Sequence, residues 1–274
     1  MILYKYVSFT SAQKIIETST LGFSCLEDVN DPFEGRALKF KRNKETLKTP
    51  DSVIIGAVRN RLSRNYGILS LTRQPLNPLM WAHYGESHTG VVIGINVKKA
   101  KLTCEKTSII PAQYGEIVYT QTKPYSSLSE PTADQLMAIE EEVQSFNSHE
   151  FRLFKQAFLY KSIEWGYEEE VRVVKNIRSN ISRYKSGEFS NKSGSWKQLI
   201  IEGRPLFCLQ IPTNSITEVY LGTSVYKNVS RKGVTENEYV ETIEKWEKKN
   251  IKVYNCRPKV DSWSLEPYTH KIVK

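Results

Sequence analysis

The chain has no long apolar run. The longest, residues 91–95 with their flanks, falls far short of the roughly 20 residues that cross a bilayer. Its opening, Met1-Ile2-Leu3-Tyr4-Lys5-Tyr6, lacks a charged lead-in, an apolar stretch and a small-residue cleavage site, so no secretory leader is expected. Cysteine is scarce: Cys25, Cys104, Cys208 and Cys256 are spaced too widely for a zinc pattern or a disulfide-dense scaffold. These absences point to a reduced, cytoplasmic protein with no membrane association. Also missing are a Gly-x-Gly-x-x-Gly turn after a strand, a phosphate loop and a Gly-x-Ser-x-Gly elbow, so Rossmann, P-loop and α/β-hydrolase chemistry lack support. No helix-turn-helix, zinc-finger or RNA-binding-sheet pattern is visible.

What the chain does have is an ordinary globular mix, 39% hydrophobic and 25% charged, which excludes wholesale disorder. Its 274 residues can bury a sizeable core. Without repeats or a convincing linker, a single domain over 1–274 is expected, with a mobile Ser/Lys/Asn/Gly-rich loop at about 179–198 and a C-terminal helix–strand extension at 235–274. The net charge of +9 suits polyanionic partners such as nucleic acid, nucleotides or acidic protein surfaces, although lysines can serve solubility alone.

Patterning predicts strands at 3–9, 21–25, 67–72, 90–97, 169–177, 206–211, 216–221 and 251–256, and a strand pair within 109–119. Helices are expected after Thr10 or Ser11, over 51–65, over 76–86, in a long stretch from Thr132 through Phe158, and after the capping pair Thr235 and Glu238. Residues 39–48 read as a basic exposed stretch and 123–131 as a surface loop. Strands and helices mix irregularly, which favours α+β over an alternating parallel fold.

Three polar clusters lie on or beside predicted strands: Tyr4-Lys5, Ser70-Leu71-Thr72 and Glu168-Glu169-Glu170. The two-residue strand period puts Ser70 with Thr72, and Glu168 with Glu170, on shared faces, leaving Glu169 pointing away. Two carboxylates on one face beside Trp165 and Tyr167 suit a site that stabilises a cation or raises a carboxyl pKa. The plainer alternative is an acidic strand entry that pairs with Arg172 at the surface. In Met80-Trp81-Ala82-His83-Tyr84-Gly85, Trp81 and Tyr84 share a helical face and are readily explained as core, whereas His83 lies off it. His83 and His88 are five apart, off the spacing that puts two metal ligands on one face of a helix; His149 could join them only through the fold.

Leu3-Tyr4-Lys5-Tyr6, Asn30-Asp31-Pro32-Phe33-Glu34, Met80-Trp81-Ala82-His83-Tyr84-Gly85 with His88 and Gly90, and Tyr167-Glu168-Glu169-Glu170-Val171-Arg172 together resemble a widespread bacterial domain-of-unknown-function family. Its signature runs LYKY, NDPFE, MWAHY and YE-E-R, and the resemblance spans about residues 2–225. More distantly, the order of the three polar clusters resembles the ADP-ribosyltransferase superfamily: a basic residue on the first strand, a Ser-Thr-Ser strand, then Glu/Gln-x-Glu. The chain departs from that pattern in having Lys5 where an Arg or His stands, and Leu71 in the middle of the serine strand.

That second resemblance implies a mainly antiparallel split β-sheet core flanked by helices, and NAD as a consumed substrate. Glu170 would stabilise a ribosyl cation, and Glu168 would orient or deprotonate the acceptor. Ser70 and Thr72 would hold the nicotinamide ribose, Trp81 or Tyr84 would stack on nicotinamide, and Lys5, Arg36, Arg73 or Arg172 would neutralise the pyrophosphate. Tyr4 and His83 complete the expected NAD-binding set. The implied activity is ADP-ribosylation of a macromolecule, nucleic acid slightly before protein, by a toxin or phage-defence effector with a possible cognate antitoxin or regulator. The alternatives are a non-catalytic nucleotide or nucleic-acid binding module, and a metal-dependent nuclease built on Asp31, Glu168, Glu170 and His83.

Overall fold

A computed structural model describes residues 1–41, 51–123, 128–129 and 143–269. The first strand, β1 (Ile2–Val7), hands over to α1 (Phe9–Thr18) at Ser8, whose hydroxyl accepts from the Ser11 amide at 3.0 Å. The cap therefore falls two to three residues before the expected Thr10 or Ser11, because Ser8 is the last residue in extended backbone. Phe9, Ala12 and Ile16 bury one face of α1, and Ser19, at φ 52, turns the chain into β2 (Thr20–Cys25). A 3-10 turn, Leu26–Asp28, and β3 (Phe40–Lys41) precede α2 (Asp51–Asn65) and β4 (Tyr66–Thr72). Asn77 caps α3 (Pro78–Tyr84), with Pro78 at the first turn where no backbone donor is needed.

Next come β5 (Val91–Asn96), β6 (Val118–Thr120), β7 (Leu128–Ser129), α4 (Phe151–Phe158) and β8 (Tyr160–Ser162). A 3-10 segment, Ile163–Glu168, leads into β9 (Glu170–Asn176). The remainder is β10 (Gly187–Asn191), β11 (Gly194–Ile201), β12 (Arg204–Gln210), β13 (Ile216–Leu221), α5 (Val225–Arg231), α6 (Glu236–Lys248), β14 (Lys252–Pro258) and β15 (Leu265–Thr269).

Eleven strands form one open sheet in the order β10-β11-β12-β2-β4-β1-β5-β13-β14-β15, with β9 joined to β4. Every pairing in it is antiparallel except β13 with β14. The fold is mixed α+β with helices flanking a mainly antiparallel sheet. β9 follows β4 along its whole length, so β2 and β1 must share the opposite edge: β2 takes Gly67 and Ile68, and β1 reaches only Thr72. The sheet forks at that edge. α1 connects the two branches and buries Phe9 against Tyr239 and Trp246 of α6 at 5.6 Å between ring centroids.

Several expectations change. Residues 187–201 form a hairpin of β10 and β11 rather than a loop, with Phe189 and Trp196 stacked at 6.2 Å. Its inward alternation uses Gln198, and its Ser/Lys/Asn composition hides the period. The expected long helix is helical only from Phe151; residues 143–150 are irregular, and 132–142 lie outside the described residues. So do 42–48 of the basic stretch and 124–127, 130 and 131 of the surface loop. The strand pair expected within 109–119 reduces to isolated bridges on β9 and the start of β6. The C-terminal part is integral, since β14 continues the sheet beside β13 and the Thr235–Glu238 capping box starts α6. All four cysteines are free thiols. Among the described residues no helix is long and apolar enough to cross a membrane.

Gly115 crosses directly over β9, its carbonyl accepting from the Arg172 amide at 2.8 Å. A Cβ there would sit 1.8 Å from the Arg172 carbonyl oxygen, backbone that cannot step aside. Gly115→Ala is expected to cost about 3 kcal/mol through forced displacement of β9, read as a lowered urea midpoint with an unchanged slope.

Candidate active site

The fork in the sheet leaves a pocket at the C-terminal end of β4. β1 supplies Tyr4, Lys5 and Tyr6; β4 supplies Ser70, Leu71 and Thr72; β9 supplies Glu170 and Arg172. Strand register makes this convergence: Tyr4 lies opposite Thr72, Thr72 opposite Glu170, and Ser70 opposite Arg172. Asn30 and Glu34 enter from the segment after β2, Tyr84 from α3, Lys161 from β8, and Glu168 from the end of the 3-10 segment. The cavity measures about 130 Å³, close to the ~150 Å³ that admits one benzene-sized ring.

Its floor is an ion cluster almost sealed from water. The Arg172 guanidinium pairs in two-pronged fashion with Glu34, through Nη1 to Oε2 at 2.7 Å and Nη2 to Oε1. Nε donates to Glu170 Oε1 at 2.8 Å, Nη2 to Glu170 Oε2 at 3.2 Å, and Nη1 to the Phe158 carbonyl at 2.7 Å. Lys161 Nζ stands 2.6 Å from Glu168, 3.4 Å from Glu170 and 3.9 Å from Glu34, and 4.7 Å from the Trp165 ring centroid. Lys5 reaches the Ser70 carbonyl at 3.5 Å. Three carboxylates thus face three cations.

The two strand-end glutamates are pushed apart. Burial raises the Glu168 carboxyl above the usual range, more than Lys161 and the 2.6 Å hydrogen bond from the Tyr84 hydroxyl can offset. Burial acts on Glu170 in the same sense, but Arg172 and Lys161, with help from the Ser70 hydroxyl, outweigh it and hold that carboxyl at about 2. Burial lowers Lys5 from the ordinary lysine range, opposed by the charge of Glu170. Burial, joined by Glu218, pushes the Tyr4 phenol up to about 12. A pair of acids in one pocket, one biased to hold a proton and the other to stay ionised, is the arrangement that divides acid–base from electrostatic work.

The expected residues are distributed as follows. Tyr4, Lys5, Ser70, Thr72, Tyr84, Glu168, Glu170 and Arg172 all line the pocket. Glu168 does not share a strand face with Glu170, because β9 begins at Glu170; Glu169 at φ 42 makes the bend that brings both carboxylates to Lys161. Glu169 points outward and accepts from the Gln74 amide at 3.0 Å. The Thr72 hydroxyl donates to the Glu168 carbonyl at 2.6 Å and accepts from the Gln74 amide, so it braces the wall. Arg172 is fully engaged at the floor, which makes it an internal ion-pair residue rather than a surface one.

Trp81 is entirely buried, donates to the Pro75 carbonyl and packs on Tyr6 and His88, so it belongs to the core. His83 is exposed outside the pocket lining, its ring 6.0 Å from Tyr167. Arg36 is likewise exposed, and Arg73 meets Glu116 at the surface at 3.5 Å. Sequence reasoning assigned nothing to Lys161 or Glu34. Glu34 stood inside a quoted motif, its polar ending a usable signal; Lys161, seven residues ahead of Glu168, carried none. Among the described residues no group of three or more His, Cys, Asp and Glu is placed to hold a metal. Lys161 occupies the position between the carboxylates that a divalent cation would need, and the Asp31 carboxylate accepts from the Phe33 amide at 2.9 Å.

Removing one member of such a buried cluster strands its partners. Arg172→Met is expected to cost about 3–5 kcal/mol in chemical denaturation. The depressed Glu170 contributes stability that is present above its ordinary value of 4.5 and lost as the pH falls toward 2. Glu170→Gln should therefore flatten the loss of stability over that interval in an acid titration of unfolding free energy.

Comparison with curated proteins returned no match, and comparison with solved structures returned none. A family model does match residues 80–173, from Met80 of α3 to Val173 of β9, a span that holds Lys161, Glu168, Glu170 and Arg172 and leaves Lys5, Glu34 and Ser70 outside. Over that span the chain is similar to a domain-of-unknown-function family, described as Protein of unknown function (DUF2971).

Proposed function

We propose that the protein is an NAD-consuming ADP-ribosyltransferase acting on a macromolecule, with an ADP-ribosyltransferase-like split sheet as its core. The observation that carries this reading is the opposite bias of Glu168 and Glu170 within one ring-sized pocket at the fork of the sheet. In the proposed reaction the bond between nicotinamide nitrogen and ribose C1′ breaks, and its electron pair leaves with nicotinamide. A hydroxyl or amine of the acceptor supplies the electron pair for the new bond to C1′, and its proton passes to Glu168. Glu170, held ionised, opposes the positive charge that develops on the ribose. The cavity fits a single ring, so nicotinamide would enter it and the rest of the dinucleotide would lie across the open mouth. Ser70 and Lys5 remain suited to ribose and phosphate contact, and Tyr84 to stacking; Thr72, Trp81 and Arg172 support the walls and floor instead.

A second reading, a non-catalytic nucleotide or nucleic-acid binding module, draws on one observation: Arg172 and Lys161 already neutralise the carboxylates. The nuclease reading loses its footing, since Lys161 stands where the metal would and His83 lies outside the pocket.

The deciding measurement is incubation with labelled NAD and cell lysate, followed by separate protease and nuclease digestion. Release of nicotinamide is expected, with label removed by nuclease for a nucleic-acid acceptor or by protease for a protein. Glu170→Gln should slow release by about 10²–10³-fold, the usual loss when one charge-stabilising group is removed, while circular dichroism stays native. No nicotinamide release, with Glu170→Gln indistinguishable from the unmodified protein, overturns the transferase reading.

A further inference from the structure

A second and larger cavity, about 680 Å³, lies beyond the N-terminal end of β4. It is walled by the 3-10 turn after β2, the end of α2 and the loop after β9, and lies within the ~300–1,000 Å³ typical of ligand sites. Three arginines line it: Arg64 from the last turn of α2, and Arg178 and Arg183 from the loop. Glu27 is the one acidic residue in the lining, and it is engaged by Arg183. The cavity therefore carries an excess of two positive charges, on side chains whose planar donors match phosphate oxygens in pairs.

An aromatic ring completes the set. Tyr184, 77% exposed, stands at the rim next to Arg183. The loop is held in place: buried Gln198 donates its amide to the Ser182 and Lys185 carbonyls at 2.9 and 2.8 Å, bracketing both residues. Asn191 donates to the Arg178 carbonyl at 3.3 Å. An exposed ring beside guanidinium groups, presented by a braced loop, is the combination that stacks an unpaired base while neutralising its backbone.

We propose that this cavity binds single-stranded nucleic acid, with phosphates on the arginines and a base on Tyr184. The cavity lies off the opposite end of β4 from the carboxylate pocket. The binding site stands by itself and does not rest on the transferase reading.

The test is fluorescence anisotropy of the full chain with labelled single-stranded RNA and DNA ten-mers across a salt series. Single-strand binding loses about 0.7 of log–log salt slope per phosphate contact removed, so Arg64→Gln with Arg183→Gln should flatten the slope by about 1.4. Tyr184→Ala, an exposed change that leaves the fold intact, should weaken binding of the ten-mers by about fivefold or more and leave an abasic backbone unaffected. Lys245→Gln with Lys248→Gln, on the exposed face of α6, should change nothing. Nicotinamide release without acceptor should be the same in the arginine variant as in the unmodified protein.

The proposal is overturned if the unmodified chain binds neither ten-mer, if the α6 variant weakens binding as much as the arginine variant, or if poly-glutamate displaces the ten-mer as well as unlabelled oligonucleotide does. Free ADP-ribose displacing the ten-mer at equal concentration overturns it too, by assigning the cavity to the dinucleotide. Oligonucleotide binding without nicotinamide release sustains this site and sinks the transferase reading. Release without binding does the reverse.

Discussion

Three carboxylates cannot be withdrawn from water at one place unless cations follow them. Here Arg172, Lys161 and Lys5 follow Glu34, Glu168 and Glu170, and much of the surrounding architecture holds these six groups in reach of one another. Arg172 needs β9 pressed along β4, and Gly115 lets the chain close over it. Glu34 must be brought back from the segment after β2, and Lys161 from β8. Hydrogen bonds from Tyr84, and from the Glu170 amide to the Tyr119 hydroxyl at 2.9 Å, hold the periphery. Such a cluster is a weak source of net stability and a strong source of specificity, since any rearrangement leaves a charge unpaired.

The same neutrality frames the chemistry. A carboxylate matched by a buried guanidinium stays ionised without needing water, which is what charge stabilisation in a closed pocket requires. Glu168, further from Arg172 and under a phenol, is left to exchange a proton. The division between the two glutamates therefore follows from which cation each one meets, and Lys161, touching both, couples them.

Much of the fold was legible because periodicity was undisturbed. Helix α2 falls over 51–65 as its apolar spacing predicts, β5 reads as a buried strand, and the Thr235–Glu238 box marks the start of α6. The hairpin β10–β11 was not, since its inward positions include the amide of Gln198, satisfied only by a distant loop. The site was half legible. Tyr4-Lys5, Ser70-Leu71-Thr72 and Glu168–Glu170 can be grouped by order and residue type, and the register of β1, β4 and β9 brings them together. Lys161 could not be found, because a buried lysine is recognisable only by the acids that surround it, and one of those, Glu34, comes from a segment far away in the chain. The opposite error arose with Trp81 and His83, whose neighbourhood in sequence does not place them in the pocket.

The fork at β4 also orders events in time. Tyr4 pairs with Thr72 and Thr72 with Glu170, so the pocket is closed by contacts between positions 68 and 98 residues apart in the chain. Contacts so distant along the chain form late in folding, after local helices and hairpins. A nascent chain that has emerged only as far as β4 holds Lys5 and Ser70 but no Glu168, Glu170 or Arg172. Whatever the pocket does, it does only once β9 is in place, and the cell in which the chain is made meets no working site before then.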